Sequence, residues 1–259
     1  MPTTPGFEVI CEVEPATQPD LMLVRHQIGV LSKVASAFLI PDNHIGRATV
    51  SSIAVAHEVA QMGGRAIACL NARDRNLLGF RRDLLTAAAY GVDQFLFVYG
   101  DRTESGARSD DLTVRTMIRE ARAFSESHAG TSGPFRFGVT SGLRPLPEWK
   151  RNADALFVQV SFSLDNLLAW RESVDFAGPV YAGVMVIASA PMARKLTDTI
   201  PELAVPNDVT DRIERDRSAG VEIACELVEA IRESGAFDGV HLVPVSRYRE
   251  VAARLEPVR

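Results

Sequence analysis

The sequence has few cysteines, no block of positive charge and no long apolar run, and each shortage excludes something. Three cysteines in 259 residues, Cys11, Cys69 and Cys225, lack metal-ligand spacing. Cys11 and Cys69 sit inside apolar runs and read as small buried hydrophobes of a reducing compartment. The formal net charge is −5, and the densest positive clusters, Arg73-Asp74-Arg75 and Arg81-Arg82, are interrupted or followed by acids. Nucleic acid and anionic membrane are therefore poor candidates for the principal partner. No stretch is long and apolar enough to cross a bilayer, and polar and turn residues rather than a signal-peptide core follow Met1, so the cytoplasm is the expected location. Gly-x-Ser-x-Gly, a phosphate-binding loop and any His/Cys/Asp cluster of zinc spacing are all missing, which argues against a serine hydrolase, a P-loop NTPase and a metal hydrolase.

What is present is a steady alternation. Short β-branched or aromatic runs fall at Phe7–Val13, Ala37–Ile40, Arg65–Leu70, Gln94–Tyr99, Phe135–Val139, Ala155–Val160, Val180–Val186 and Gly239–Val243. Amphipathic stretches separate them, at Leu21–Val34, Thr49–Met62, Leu77–Tyr90, Asp111–Ser127, Leu164–Glu172, Met192–Thr199, Asp208–Ser234 and Ser246–Leu255; after the fifth run there is only a weak helix around Pro147–Asn152. Asn207-Asp208 resembles an N-cap opening the longest helix, and Gly235 closes it. Eight strand–helix units in about 250 residues predict a single (β/α)8 TIM barrel spanning residues 1–259. An open doubly wound sheet is the alternative, although no Gly-x-Gly-x-x-Gly follows the first strand. The Gly/Ser-rich loop Gly100–Asp110 is expected to be mobile.

In a barrel, chemistry gathers where strands hand over to helices. Those junctions carry Glu12 and Glu14; Asp42 and Asn43; Asn71, Arg73 and Asp74; Asp101; Ser141; Gln159 and Ser161; and Ser189. The first run places Phe7, Val9, Cys11 and Val13 on one face and Ile10, Glu12 and Glu14 on the other. If helices cover the apolar face, the two carboxylates point into the barrel, where an unpaired charge is expensive. A carboxyl group at a strand's end, before Pro15, is a candidate proton donor, with a solvated or salt-bridged rim residue as the competing reading. Asp101 presents a charge over the mouth or caps a turn. Asn71-Ala72-Arg73-Asp74-Arg75-Asn76 binds an anion, or pairs internally while Asp74 or Asn76 caps the next helix. Gln159, an amide in an apolar strand, reads the edge of a planar heterocycle or is satisfied by backbone. Of the five histidines, His26, His57 and His128 fall on helices. His241 lies in the last strand, as a hydrogen-bonded interior residue or facing a ligand.

These stations, in this order, resemble the methylenetetrahydrofolate reductases. Glu12-Val13-Glu14-Pro15 is similar to the family's Glu-x-x-Pro-Pro, which singles out Glu12, with Ala16 in place of the second proline. Asn71–Asn76 resembles the Arg-Asp-Arg-Asn segment of one branch, Gly100-Asp101 the Gly-Asp after strand four, and Gln159 the pterin-binding glutamine of strand six. The departures fall on the flavin-holding positions. Pro41-Asp42-Asn43-His44 replaces Thr-Tyr-Gly-Ala, Cys69 replaces a histidine, Tyr99 an arginine, and Ser141-Gly142-Leu143 stands near Tyr-Pro-Glu. That pattern resembles the flavin-independent, mycobacterial-type branch.

The resemblance implies reduction of 5,10-methylenetetrahydrofolate to 5-methyltetrahydrofolate by hydride from NADH, with NADPH as the other candidate donor and FAD absent. It implies Glu12 and Asp101 as catalytic residues and Gln159 as the substrate-binding one. Asn43, Asn71 and Arg73 line the side of the mouth expected to meet the nicotinamide dinucleotide. Two alternatives are an FAD-containing reductase and a folate- or pterin-binding barrel without reductase activity. The expected assembly is a monomer or small homo-oligomer.

Overall fold

A computed structural model of the chain describes residues 6–14, 16–43, 46–101, 108–129 and 133–256. Pro15, His44 and most of the loop expected to be mobile, 102–107, lie outside the described residues. The strands are β1 (Glu8–Glu12), β2 (Ala37–Ile40), β3 (Ala66–Asn71), β4 (Gln94–Val98), β5 (Arg136–Ser141), β6 (Ala155–Val160), β7 (Val180–Met185) and β8 (Gly239–Val243). All pair in parallel in sequence order, and β8 returns to β1, closing an eight-stranded barrel. The helices are α1 (Met22–Leu31), α2 (Ser52–Gln61), α3 (Leu77–Ala89), α4 (Val114–Ser127), α5 (Leu164–Ser173), α6 (Ala190–Thr199), α7 (Asn207–Arg215), α8 (Ala219–Ser234) and α9 (Tyr248–Leu255). None of them is long and apolar enough to cross a membrane.

Side-chain period two divides each strand between two cores. Outward residues such as Val9, Cys11, Phe38, Leu70, Phe97 and Val184 pack under the helices. Inward residues Ile10, Leu39, Ile67, Leu96, Phe157 and Tyr181 fill the barrel. The fifth strand contributes almost no inward bulk, because Gly138 yields its place to Phe157: a Cβ there would stand 2.6 Å from the Phe157 ring. Below this apolar plug the inward register turns polar. Tyr181 donates to Glu8 at 2.6 Å, and Arg65 pairs with the same carboxylate. A cavity of about 510 Å³ opens at that end, lined in part by Arg65, Gln94, Arg136 and Tyr181.

Local chemistry sets the helix boundaries. Asn76 caps α3 by accepting from Gly79 N at 2.8 Å, Thr113 and Thr116 form a reciprocal capping box on α4, and Ser189 caps α6. Gly235 ends α8 at φ 64°, a left-handed conformation that suits glycine. The expected helix Asp208–Ser234 is two helices. Asp216 Oδ1 accepts from both the N–H and the hydroxyl of Ser218, at 2.8 Å each. That local turn competes with the helical hydrogen bonds and breaks the run. Asn207 does not cap α7 but is its first residue, after Pro206. The weak helix after β5 is a 3₁₀ turn, Glu148–Asn152.

Candidate active site

At the C-terminal ends of the strands the barrel interior opens on a group of polar side chains. Glu12 is the last residue of β1, shares the inward face with Ile10, and is mostly shielded from solvent. The backbone that follows it is fixed by Gln27 of α1, a fully buried amide. Gln27 accepts from Glu14 N–H at 3.0 Å and donates to the Glu14 carbonyl at 3.3 Å. Glu14 itself is exposed at the rim. Of the two carboxylates that periodicity sends to one face, only Glu12 is held inside.

Across β8, His241 Nε2 lies 3.2 Å from Glu12 Oε2. The approach is off the line of a formed hydrogen bond, and Nε2 is buried with no other partner among the described residues. The imidazole stands edge-on to Phe157, 6.0 Å between centroids at 75°, and Phe157 in turn rests on Tyr181. A continuous interior column therefore runs from Glu8 through Tyr181, Phe157 and His241 to Glu12.

Gln159 reaches the mouth by a bulge. β6 pairs with β7 in register at Phe157–Tyr181 and again at Val160–Gly183, so one extra residue is inserted on β6. Gly183 makes this fit: a Cβ there would come within 2.4 Å of the Val158 carbonyl. The Gln159 amide oxygen stands beside Gly142, at the end of β5, where a Cβ would lie 3.2 Å from it. Gly183, a glycine inside an apolar run, was the available sequence signal for the bulge.

The segments after β2 and β3 form one network. Asp42 Oδ2 accepts from the backbone N–H of Asn71 at 2.9 Å and from its side-chain amide at 2.7 Å. Arg75 grips the same carboxylate and also reaches Asp83 at 2.8 Å. Burial works against the Arg75 cation, but the two carboxylates outweigh it and hold its pKa above the ordinary value. Asn71 Oδ1 accepts from Asp74 N–H at 2.9 Å, so both ends of this buried amide are used. Asn43, at φ 48°, donates to Asp74 at 3.0 Å. Arg73, 9 % exposed, donates to the Asp101 carbonyl and leaves the Asp101 carboxylate at the exposed rim. Gly100 permits that turn: its φ is 103°, and a Cβ would meet Asn71 Cβ at 3.0 Å.

Cys69 lies on β3 with its side chain in the barrel interior. Burial holds its thiol well above the usual range, and the negative charges of Glu12, Asp42 and Asp101 add to the shift. Its carbonyl accepts from the buried Ser52 hydroxyl at 2.6 Å. The other strand-end hydroxyls serve local turns: Ser141 donates to the Gly142 carbonyl and Ser161 to that of Ser163. Among the described residues no group of three acidic, histidine or cysteine side chains could hold a metal ion. The structure thus gathers Glu12, His241, Cys69 and Gln159 at the mouth, with Asp101 on its rim. Asn43, Asn71 and Arg73 are built into the loops around it. Gln27 and the bulge had escaped the sequence reading.

Residues 149–257 match the family model of methylenetetrahydrofolate reductase, a segment that includes Gln159 and His241 but not Glu12 or Asp101. No curated protein matches the sequence. Among solved structures, the chain is similar to an uncharacterized protein from Clostridium thermocellum that binds two copies of 5-methyl-5,6,7,8-tetrahydrofolic acid. The TM-score is 0.63 at 10% identity, covering 97% of this chain and 94% of that one. Tryptophan synthase from M. tuberculosis gives a TM-score of 0.54 at 13% identity over 96% and 91% of the two chains. A glycoside hydrolase family 17 β-1,3-glucanosyltransferase from Rhizomucor miehei gives 0.54 at 11% over 91% and 86%. Likenesses at such identities establish the barrel fold.

Proposed function

We propose that this chain is a methylenetetrahydrofolate reductase that passes hydride directly from NADH to its folate substrate, without a bound flavin. The observation that carries the reading is the pairing of an enclosed carboxyl, Glu12, with an uncommitted amide, Gln159, at the mouth of one closed barrel. Gln159 makes no side-chain hydrogen bond to any described residue, so both its donor and its acceptor are available to a pterin edge. The family match over residues 149–257 and the folate bound by the Clostridium thermocellum barrel support the same substrate class.

The chemistry follows from the substrate. The imidazolidine ring of 5,10-methylenetetrahydrofolate opens when N10 accepts a proton, leaving a cationic iminium at N5. Glu12 is the proton donor, at the inward end of β1 and mostly shielded from solvent. Asp101, on the rim, stabilises the iminium cation electrostatically. Gln159 orients the pterin, and hydride moves from nicotinamide C4 to the exocyclic carbon, giving 5-methyltetrahydrofolate.

The flavin-free form of the reading rests on the residues that replace the flavin-holding positions, among them Cys69 and Tyr99. Arg75 is committed to Asp42 and Asp83, Asn43 to Asp74, and Arg73 to the Asp101 carbonyl. The loops after β2 and β3 thus spend these donors on each other, which counts equally against a flavin or a nicotinamide diphosphate at these side chains. The test is anaerobic NADH oxidation by the purified protein. Oxidation that depends on methylenetetrahydrofolate, in protein without absorbance near 450 nm, supports the reading. A flavin spectrum in active protein replaces it with the FAD-containing reductase, and folate binding without NADH oxidation replaces it with a non-catalytic binding barrel.

A further inference from the structure

The Nε2 atom of His241 is a buried side-chain nitrogen without a hydrogen bond among the described residues. A buried polar atom left unpaired is costly, and such atoms call for an explanation in function. This one is aimed at Glu12 Oε2 from 3.2 Å. Strand pairing fixes the approach: His241 is in register with Ile10, two residues before Glu12 on the adjoining strand. Below, the Phe157 ring supports the imidazole edge-on, and the Tyr181–Glu8 hydrogen bond anchors the aromatic pair beneath it. Nε2 is enclosed on the Glu12 side, while Nδ1 is the less enclosed of the two ring nitrogens.

We propose that His241 is the positioning residue for the Glu12 acid, an inference that rests on the reductase reading above. The neutral imidazole carries its proton on Nε2 and donates it to Glu12 Oε2, leaving Oε1–H turned toward the mouth. When the substrate is protonated, the Oε1–H bond of Glu12 breaks, an N10–H bond forms, and the electron pair of the broken bond stays on the carboxylate. The Nε2–H bond of His241 stays intact. Its hydrogen bond changes from one to a neutral acid into a charge-assisted one as the carboxylate develops. It is therefore stronger in the transition state than in the ground state, which is the condition for raising kcat. Hydrogen bonds of this kind are commonly misaligned before substrate binds, as the one here is.

The test compares His241→Leu, which removes the donor, with His241→Gln, whose amide places an N–H near the position of Nε2. In the leucine variant kcat falls about 10- to 100-fold while KM for methylenetetrahydrofolate stays within about twofold. In the glutamine variant kcat returns to within about fivefold of wild type. A leucine variant with wild-type kcat overturns the proposal, and so does a glutamine variant that melts like wild type yet is as slow as the leucine one. A wild-type protein without turnover sinks the reductase reading instead. The ¹⁵N spectrum of the His241 imidazole then decides the pair without any activity. An Nε2–H tautomer whose signal moves in Glu12→Ala supports it, and an Nδ1–H tautomer or an unmoved signal overturns it.

Discussion

Gln27 holds Glu14 by both of its backbone groups, accepting from the N–H at 3.0 Å and donating to the carbonyl at 3.3 Å. A helix thereby fixes the chain two residues past Glu12, before it leaves the barrel. Replacing Gln27 with leucine keeps the volume but strands both backbone groups. We expect a stability loss of about 1–3 kcal/mol, read from urea unfolding, and a fall in kcat larger than any change in KM. Unchanged kcat in the folded variant would separate Gln27 from the placement of Glu12.

On the proposed reading, Glu12→Gln removes the transferable proton and keeps the shape. Turnover should be abolished, with folding and folate binding nearly intact by thermal melting and calorimetry. Turnover within a few-fold of wild type would sink the acid assignment.

Asp101→Asn keeps the hydrogen bond from Arg73, which is made to the backbone carbonyl of Asp101. The carboxylate charge is lost. Hydride transfer in single-turnover measurements should slow about 10- to 1000-fold, equivalent to about 1.4–4 kcal/mol. An unchanged rate would reduce Asp101 to a turn residue.

Asp42→Ala tests the mouth network. The Arg75 side chain is 13% exposed and its partner Asp42 only 5%. Removing the carboxylate leaves a shielded cation with Asp83 and the Asn71 carbonyl as its remaining partners and strips Asn71 of two hydrogen bonds. Breaking a buried pair in this way costs about 3–5 kcal/mol. A drop in urea midpoint with unchanged slope is the expected signature, and a variant as stable as wild type would show that the network carries no load.

The cysteines predict an alkaline weakness. Burial pushes the Cys11 thiol up to about 12 and Cys225 up to about 11, from an ordinary value of 9.0, and Cys69 is raised as well. Below pH 9 the thiols are protonated in folded and unfolded chains alike, and their contribution to stability is fully present. As pH rises from 9 towards the folded values, the unfolded chain ionises first, and stability falls by about 1.4 kcal/mol per pH unit for each thiol. Urea midpoints at pH 8 and 10.5 measure the fall, and replacing the three cysteines by alanine should flatten it. At pH 8 none of the three should react with iodoacetamide in the native protein.

The barrel and its strand ends were legible because period two and the strand–helix alternation are local. Glu12 is the clearest case: its face follows from Ile10, and the helices cover the opposite one. Asn43, Asn71 and Arg73 show the boundary of such reading. Sequence displays their donors but not the carboxylates and carbonyls, up to about thirty residues away, that use them. His241 shows it more strongly still. Its relation to Glu12 exists only because the last strand closes on the first, and the bulge that turns Gln159 depends on how β6 meets β7. The broken helix at Asp216 was missed for a different reason: amphipathic spacing continues across it, while a three-residue side-chain turn ends it.

The apolar plug of Ile10, Leu39, Leu96 and Phe157 makes the upper barrel a cul-de-sac. On the proposed reading folate and nicotinamide share one doorway, and the first to enter becomes a wall of the second's site. Such an enclosure favours an ordered sequence of arrivals and departures through a ternary complex. Initial-rate plots for the two substrates should intersect rather than run parallel, and the product that leaves last should compete with the substrate that enters first.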